Sequence, residues 1–102
     1  MTYYVTTKVT LKFGQNAGFN ESMAQLAPAM AVHGWKLLYG LQPLIGDVTE
    51  VLHIWQIDKF DDIANGLNSA FSDAKLGANF AKLPAFMQGE ILQIMVKTPY
   101  SP

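Results

Sequence analysis

The chain predicts an α+β fold of the ferredoxin-like kind, β-α-β-β-α-β, with one antiparallel sheet carrying its helices on one face. Three observations carry that expectation. The hydrophobic period switches between two and about 3.6 in the order strand, helix, strand, strand, helix, strand. The two middle strands are separated only by a short Gly-containing loop, as in a hairpin. The length of 102 residues supports a single core, because a chain of this size buries about two-thirds of its unfolded surface, so residues 1–102 are read as one domain.

Tyr3, Val5, Val9, Leu11 and Phe13 alternate with Thr6, Lys8, Thr10 and Lys12, the period-two pattern of a half-buried strand that ends at Gly14. Phe19, Met23, Leu26 and Met30 then fall three or four apart, so a first helix starts at Asn16 or Asn20, with a kink or weak turn at Pro28 and a stop at His33-Gly34. Trp35 to Leu41 is a second strand, with Trp35, Leu37, Tyr39 and Leu41 on one face. Pro43 to Asp47 links it to an antiparallel neighbour over Val48 to Ile57. Asp58 is the expected N-cap of a second helix with Asp61-Asp62 in its first turn and Phe60, Ile63, Leu67 and Phe71 on its apolar side. Asp73 to Leu83 forms a separate short helix that Pro84 stops, and Glu90 to Lys97 is the last strand.

Composition removes several function classes. Apolar types make up 50% of the chain and charged types 15%, well under the usual quarter, so the surface invites self-association. Seven Lys, no Arg and eight acidic residues leave a net charge of −1, which excludes polyelectrolyte attraction to nucleic acid or to anionic lipid. Without Cys there are no disulfides, thiolate nucleophiles or Cys-ligated metals, and two distant His without a His-x-His spacing leave no simple metal site. The start Met1-Thr-Tyr-Tyr-Val-Thr-Thr-Lys has no signal-peptide pattern and no stretch reads as a membrane span, so a cytoplasmic location is expected. Phosphate loops and nucleophile elbows are absent.

Strands three and four carry apolar residues at both parities, Leu52 and Ile54 against Val51, Trp55 and Ile57, and Leu92, Ile94 and Val96 against Ile91 and Met95. A sheet with two apolar faces and helices for one of them needs a partner, and packing against the sheet of a second copy is the direct solution.

Two stretches resemble the NIPSNAP family. Tyr4 to Gly14, YVTTKVTLKFG, is similar to the family's opening strand, and Gly46 to Trp55, GDVTEVLHIW, followed by Asp61-Asp62, is similar to its Gly, short run and His-x-Trp strand entering a helix. The family's frequent strand-one Glu and Arg are replaced by Val5 and Thr7, and a Tyr by Ile57, so activity depending on that Glu and Arg is not expected here. The resemblance implies a homodimeric α/β barrel with a ligand cavity between sheet and helices or inside the barrel. Its wider superfamily includes cofactor-free monooxygenases, haem-binding or haem-degrading proteins and small-ring isomerases.

His53 and Trp55 lie two apart in one strand and share a face with Val51, and Trp35 and Tyr39 extend an aromatic wall on the neighbouring strand. Around a cavity, Trp35, Tyr39, Val51, His53 and Trp55 would bind a small apolar or aromatic molecule, and His53 would be the catalytic acid or base, or a haem ligand. The alternative is a core imidazole hydrogen-bonded across the sheet beside core aromatics. His33 is expected to interact with the dipole of the first helix, Glu50 lies on the face opposite His53, and Met23, Met30, Met87 and Met95 fill the core. Three readings of function follow: a NIPSNAP-like small-molecule protein without cofactor or metal, a cofactor-independent monooxygenase or isomerase, and a non-catalytic assembly module.

Overall fold

The computed structural model describes the backbone of all 102 residues and every side chain except those of Ala70 and Phe71, so the expected core role of Phe71 lies outside the described residues. The elements run β1 (Tyr3–Leu11), α1 (Asn16–Ala31), β2 (Lys36–Leu41), β3 (Glu50–Ile57), α2 (Phe60–Ser72), α3 (Ala74–Lys82), a 3-10 turn (Leu83–Ala85) and β4 (Met87–Met95). The sheet order is β2-β3-β1-β4 with every pairing antiparallel, which interleaves the two βα halves as the ferredoxin-like reading requires.

Alternation decides which sheet face is covered. In β3 every second residue, Val51, His53, Trp55 and Ile57, is buried, and in β1 Val5, Thr7, Val9 and Leu11 are. Their register partners across the two strands are each other, so one continuous face meets the helices. Phe19, Ser22, Leu26 and Met30 bury one side of α1 at spacings of three and four. Phe13 lies beyond the end of β1 and is exposed, because the alternation outlasts the strand by one residue pair. Pro28 sits inside α1 without ending it.

Two bulges reset the alternation. Between Leu37 and Tyr39 the β2–β3 register shifts, so Leu37 stands opposite Trp55 while Tyr39 stands opposite Ile54. The expectation that Tyr39 and Leu41 share the Trp35 face is thereby corrected: the extra residue, Leu38, turns both to the open face. A second shift, between Thr10 and Leu11 of β1, places Met87 opposite Leu11, on the covered side that Glu90, opposite Val9 in the unbroken register, already shares.

Helix ends also differ from expectation. Asp58 does not cap α2: the N-cap is Lys59, without a side-chain cap bond, and Asp58 accepts from the Gln56 amide at 3.4 Å. Asp73 does cap α3, accepting from the backbone N–H groups of Lys75 and Leu76 at 3.0 and 3.2 Å. The Nε2 of His33 lies 3.4 Å from the same carboxylate, so His33 ties the end of α1 to the start of α3 rather than serving only the dipole of its own helix.

The helical layer is pinned at one point. Trp35 Nε1 donates to the carbonyl oxygen of Asp62 at 2.8 Å, and the indole occupies the space where a Cβ at Gly66 would stand. An ordinary Gly→Ala change inside a helix stabilises by about 0.5–1 kcal/mol. At Gly66 the sign reverses, since the methyl overlaps a ring that is itself buried and hydrogen-bonded. Gly66→Ala is expected to cost about 1–3 kcal/mol, read as a lower midpoint in thermal unfolding followed by circular dichroism. An unchanged or raised midpoint would show that the indole yields freely.

Candidate functional site

Strands β1, β3 and β4 and all three helices meet around a cavity of about 60 Å³ between sheet and helices, lined by Thr7, Phe19, Trp35, His53, Trp55 and Glu90 together with Met23, Met30, Met87, Leu67 and Phe80. Each polar member is placed by the sheet. Thr7 and His53 are direct cross-strand partners, and Glu90 stands opposite Val9, two residues further along β1. Trp35 enters from the tight turn after α1, where Gly34 takes a φ of 87° that a side chain would resist.

His53 is 6% exposed and its imidazole lies flat against the Phe19 ring, centroids 5.8 Å apart and planes 5° from parallel. Trp55 meets it edge-on at 6.2 Å, and Trp35 meets Trp55 edge-on at 5.6 Å. Among the described residues no protein group hydrogen-bonds to the imidazole, and no fully buried side-chain nitrogen or oxygen is left unpartnered. The ring nitrogens are therefore left without a protein partner yet are not fully sealed. The ring lines both the cavity and a wider cleft of about 340 Å³ toward β2, where Gly40 leaves room beside its Cδ2–Nε2 edge.

Burial lowers the His53 pKa from its usual 6.5, because the imidazolium loses its water. Partial desolvation on the cavity side also raises the Glu90 carboxyl above its usual range, while the residue as a whole is exposed. A neutral imidazole in an apolar enclosure can accept a hydrogen bond or a proton from a bound hydroxyl. Glu50, on the opposite face, instead pairs with Lys8 at 3.3 Å. Among the described residues no group of three His, Asp or Glu is arranged to hold a metal ion. A haem does not fit, because an enclosure of about 60 Å³ holds no macrocycle beside His53.

Of the residues singled out from the sequence, the structure brings Trp35, His53 and Trp55 to one cavity. Val51 is buried on the same face but borders the neighbouring cleft. Tyr39 stands on the open face, 61% exposed, for the bulge reason given above. Thr7 and Glu90 escaped the sequence reading. The signal for Glu90 is a carboxylate sharing the parity of Leu92 and Ile94 on an otherwise uncharged strand.

The whole chain aligns with solved structures of the same architecture. A NIPSNAP family protein of Agrobacterium tumefaciens superposes with a TM-score of 0.85 at 18% identity, over 100% of this chain and 98% of that one. A second NIPSNAP family protein of unknown function from the same organism gives 0.84 at 20% identity, over 99% and 92%. The cofactor-independent oxygenase SnoaB of Streptomyces nogalater gives 0.80 at 15% identity, over 99% and 97%. At such identities the likeness establishes the fold and no more. No curated protein matches the sequence. Among the described residues no helix is long and apolar enough to cross a membrane. The NIPSNAP family model matches residues 4–102, nearly the full length, and with the fold it places this chain in the NIPSNAP family.

Proposed function

We propose that this chain is a one-domain, homodimeric small-molecule protein that binds a compact apolar or aromatic compound bearing a hydroxyl in the cavity beside His53. One observation carries the reading: a buried imidazole, without a protein hydrogen-bond partner among the described residues, opens onto an apolar enclosure. A histidine kept for structure alone would have its nitrogens engaged or sealed off. An apolar cavity that takes a benzene ring measures about 150 Å³, so a ring enters this smaller one by displacing its flexible methionines. The non-catalytic assembly reading loses support for the same reason, since it calls for a His53 with no adjoining void.

A second reading, cofactor-independent oxygenation or isomerisation, draws on the same imidazole. A neutral His53 can withdraw the proton of a bound phenol or acidic C–H, leaving an electron-rich anion in an enclosure that holds no metal-binding cluster among the described residues. SnoaB, of the same fold, is a cofactor-independent oxygenase. Dimerisation is supported by the open face, where Tyr39, Leu41, Ile91 and Met95 are all exposed beside Leu52 and Ile54.

Both tryptophans of the chain wall the cavity, so occupancy reads directly as quenching of their fluorescence. Simple phenols are expected to quench the wild type. His53→Gln is expected to lose at least tenfold in affinity while keeping its thermal midpoint within a few degrees. Equal affinity in the two proteins would remove His53 from the site. Because the His53 pKa is lowered, the neutral ring persists as pH falls to 6.5, and the His53-dependent part of binding disappears only as pH drops through the lowered value. Loss of that part above pH 7 would contradict the burial argument.

The dimer is tested by light scattering at micromolar concentration, with twice the chain mass of 11.3 kDa expected. A single species at the chain mass would exclude packing through the open face.

A further inference from the structure

The cavity holds one formal charge, and the function proposed above makes no use of it. Glu90 lines the cavity together with His53, and it also lines the shallow cleft formed by Phe80, Leu83 and Pro84. It therefore stands at the mouth, with one side toward the enclosure and the other toward solvent. Among the described residues no Lys or His forms an ion pair with it, and the chain contains no Arg. Glu90 is exposed, so water serves its carboxylate while the cavity is empty, and a ligand that enters past it displaces part of that water and must either donate to the charge or meet it uncompensated. The unbroken β1–β4 register sets Glu90 opposite Val9, on the same side of β4 as Leu92 and Ile94, so the pairing itself holds the carboxylate at this end of the apolar row.

We infer that Glu90 sets the specificity of the cavity: it selects a single aromatic ring carrying a hydrogen-bond donor at each end, one for the His53 imidazole and one for the Glu90 carboxylate, and it turns away anionic ligands. This rests on the binding reading above and adds the chemical class of the ligand.

The spacing of the two groups fits such a molecule. His53 and Glu90 are separated by two strand spacings and a two-residue offset along β1, about 12 Å between their Cα positions from strand geometry. Both side chains rise from the same sheet face, and because the Cδ2–Nε2 edge of His53 lies beside Gly40 of β2, Nδ1 is the nitrogen on the β1 and β4 side. Two donors para to each other on a benzene ring, with a hydrogen bond of about 2.8 Å at each end, span about 11 Å. A ligand of this shape meets both polar groups and leaves the ring between Phe19, Trp55 and the methionines. A carboxylate at the outer end would instead face Glu90 with no cation to offset it.

Three para-substituted phenols of similar size separate the possibilities, each titrated at pH 8 against tryptophan fluorescence: 4-(hydroxymethyl)phenol, 4-ethylphenol and 4-hydroxybenzoate. The wild type is expected to bind the hydroxymethyl compound at least about tenfold tighter than the ethyl compound, the size of a charge-assisted hydrogen bond, and 4-hydroxybenzoate weaker still. Glu90→Gln is expected to bring 4-hydroxybenzoate at least about tenfold tighter while leaving 4-ethylphenol within twofold. Circular dichroism checks that the variant is folded, and Glu90→Asp, which keeps the charge on a shorter arm, is expected to keep rejecting the anion. Similar affinities of wild type and Glu90→Gln for all three compounds would overturn the role of Glu90 while leaving the binding reading intact. Absence of quenching by any of the three in the wild type would overturn both.

Discussion

The structure hangs on a single indole. Trp35 sits at the junction of α1 and β2, donates its N–H to the Asp62 carbonyl of α2, meets Trp55 of β3 edge-on and fills the notch left by Gly66. Carbonyl oxygens have two lone pairs, so Asp62 can serve both the helix ladder and the indole without leaving a donor orphaned. The approach is close at both ends. Gly34 supplies the left-handed turn that aims Trp35 inward, and a Cβ there would lie 2.6 Å from the Asp62 carboxylate. Shifting this contact would move α2 over the sheet and open or close the cavity, since Trp35 is also one of its walls.

The cavity exists because the packing against β1 and β3 is aromatic and thioether rather than tightly branched. Flat rings at Phe19, His53 and Trp55 stack or meet edge-on, which fixes their planes but leaves wedges between them, and methionines fill such wedges adaptably. Into this apolar setting the strands place two ionisable groups whose pKa values burial moves in opposite directions, His53 down and Glu90 up. For both, the neutral form is the one favoured by the surroundings. Sites with that property are where proton transfer and polar recognition are commonly found, although burial alone also produces it.

The helical layer stops short of β4. Leu92 and Ile94 point to the helix side by register, yet they are 37% and 47% exposed, and Ile91 and Met95 on the other side are exposed as well. An edge strand apolar on both faces is the feature natural sheets usually blunt with charge or proline. Here Pro99 comes only after the strand, and Glu90 is its one charged residue. The same strand thus closes one side of the cavity and carries much of the apolar open face, so whatever covers that face also bears on the backbone that positions Glu90.

Much of this was legible in the amino-acid order. The switch of hydrophobic period set the element types and their sequence, the Pro43–Asp47 loop set the hairpin, and the two-residue spacing of Val51, His53 and Trp55 put them on one face, because these depend on local geometry alone. The His-x-Trp strand and the opening strand also pointed to the family that residues 4–102 match. Other features were decided only by the assembled sheet. A bulge has no reliable signature in a single strand, and one extra residue at Leu38 sent Tyr39 to the opposite face from Trp35. Caps are settled by which carboxylate reaches the free N–H groups, so Asp73 rather than Asp58 took that role. Glu90 could join His53 only once β4 had paired with β1 in a particular register, because cross-strand neighbours far apart in sequence are fixed by pairing and by nothing local to either strand.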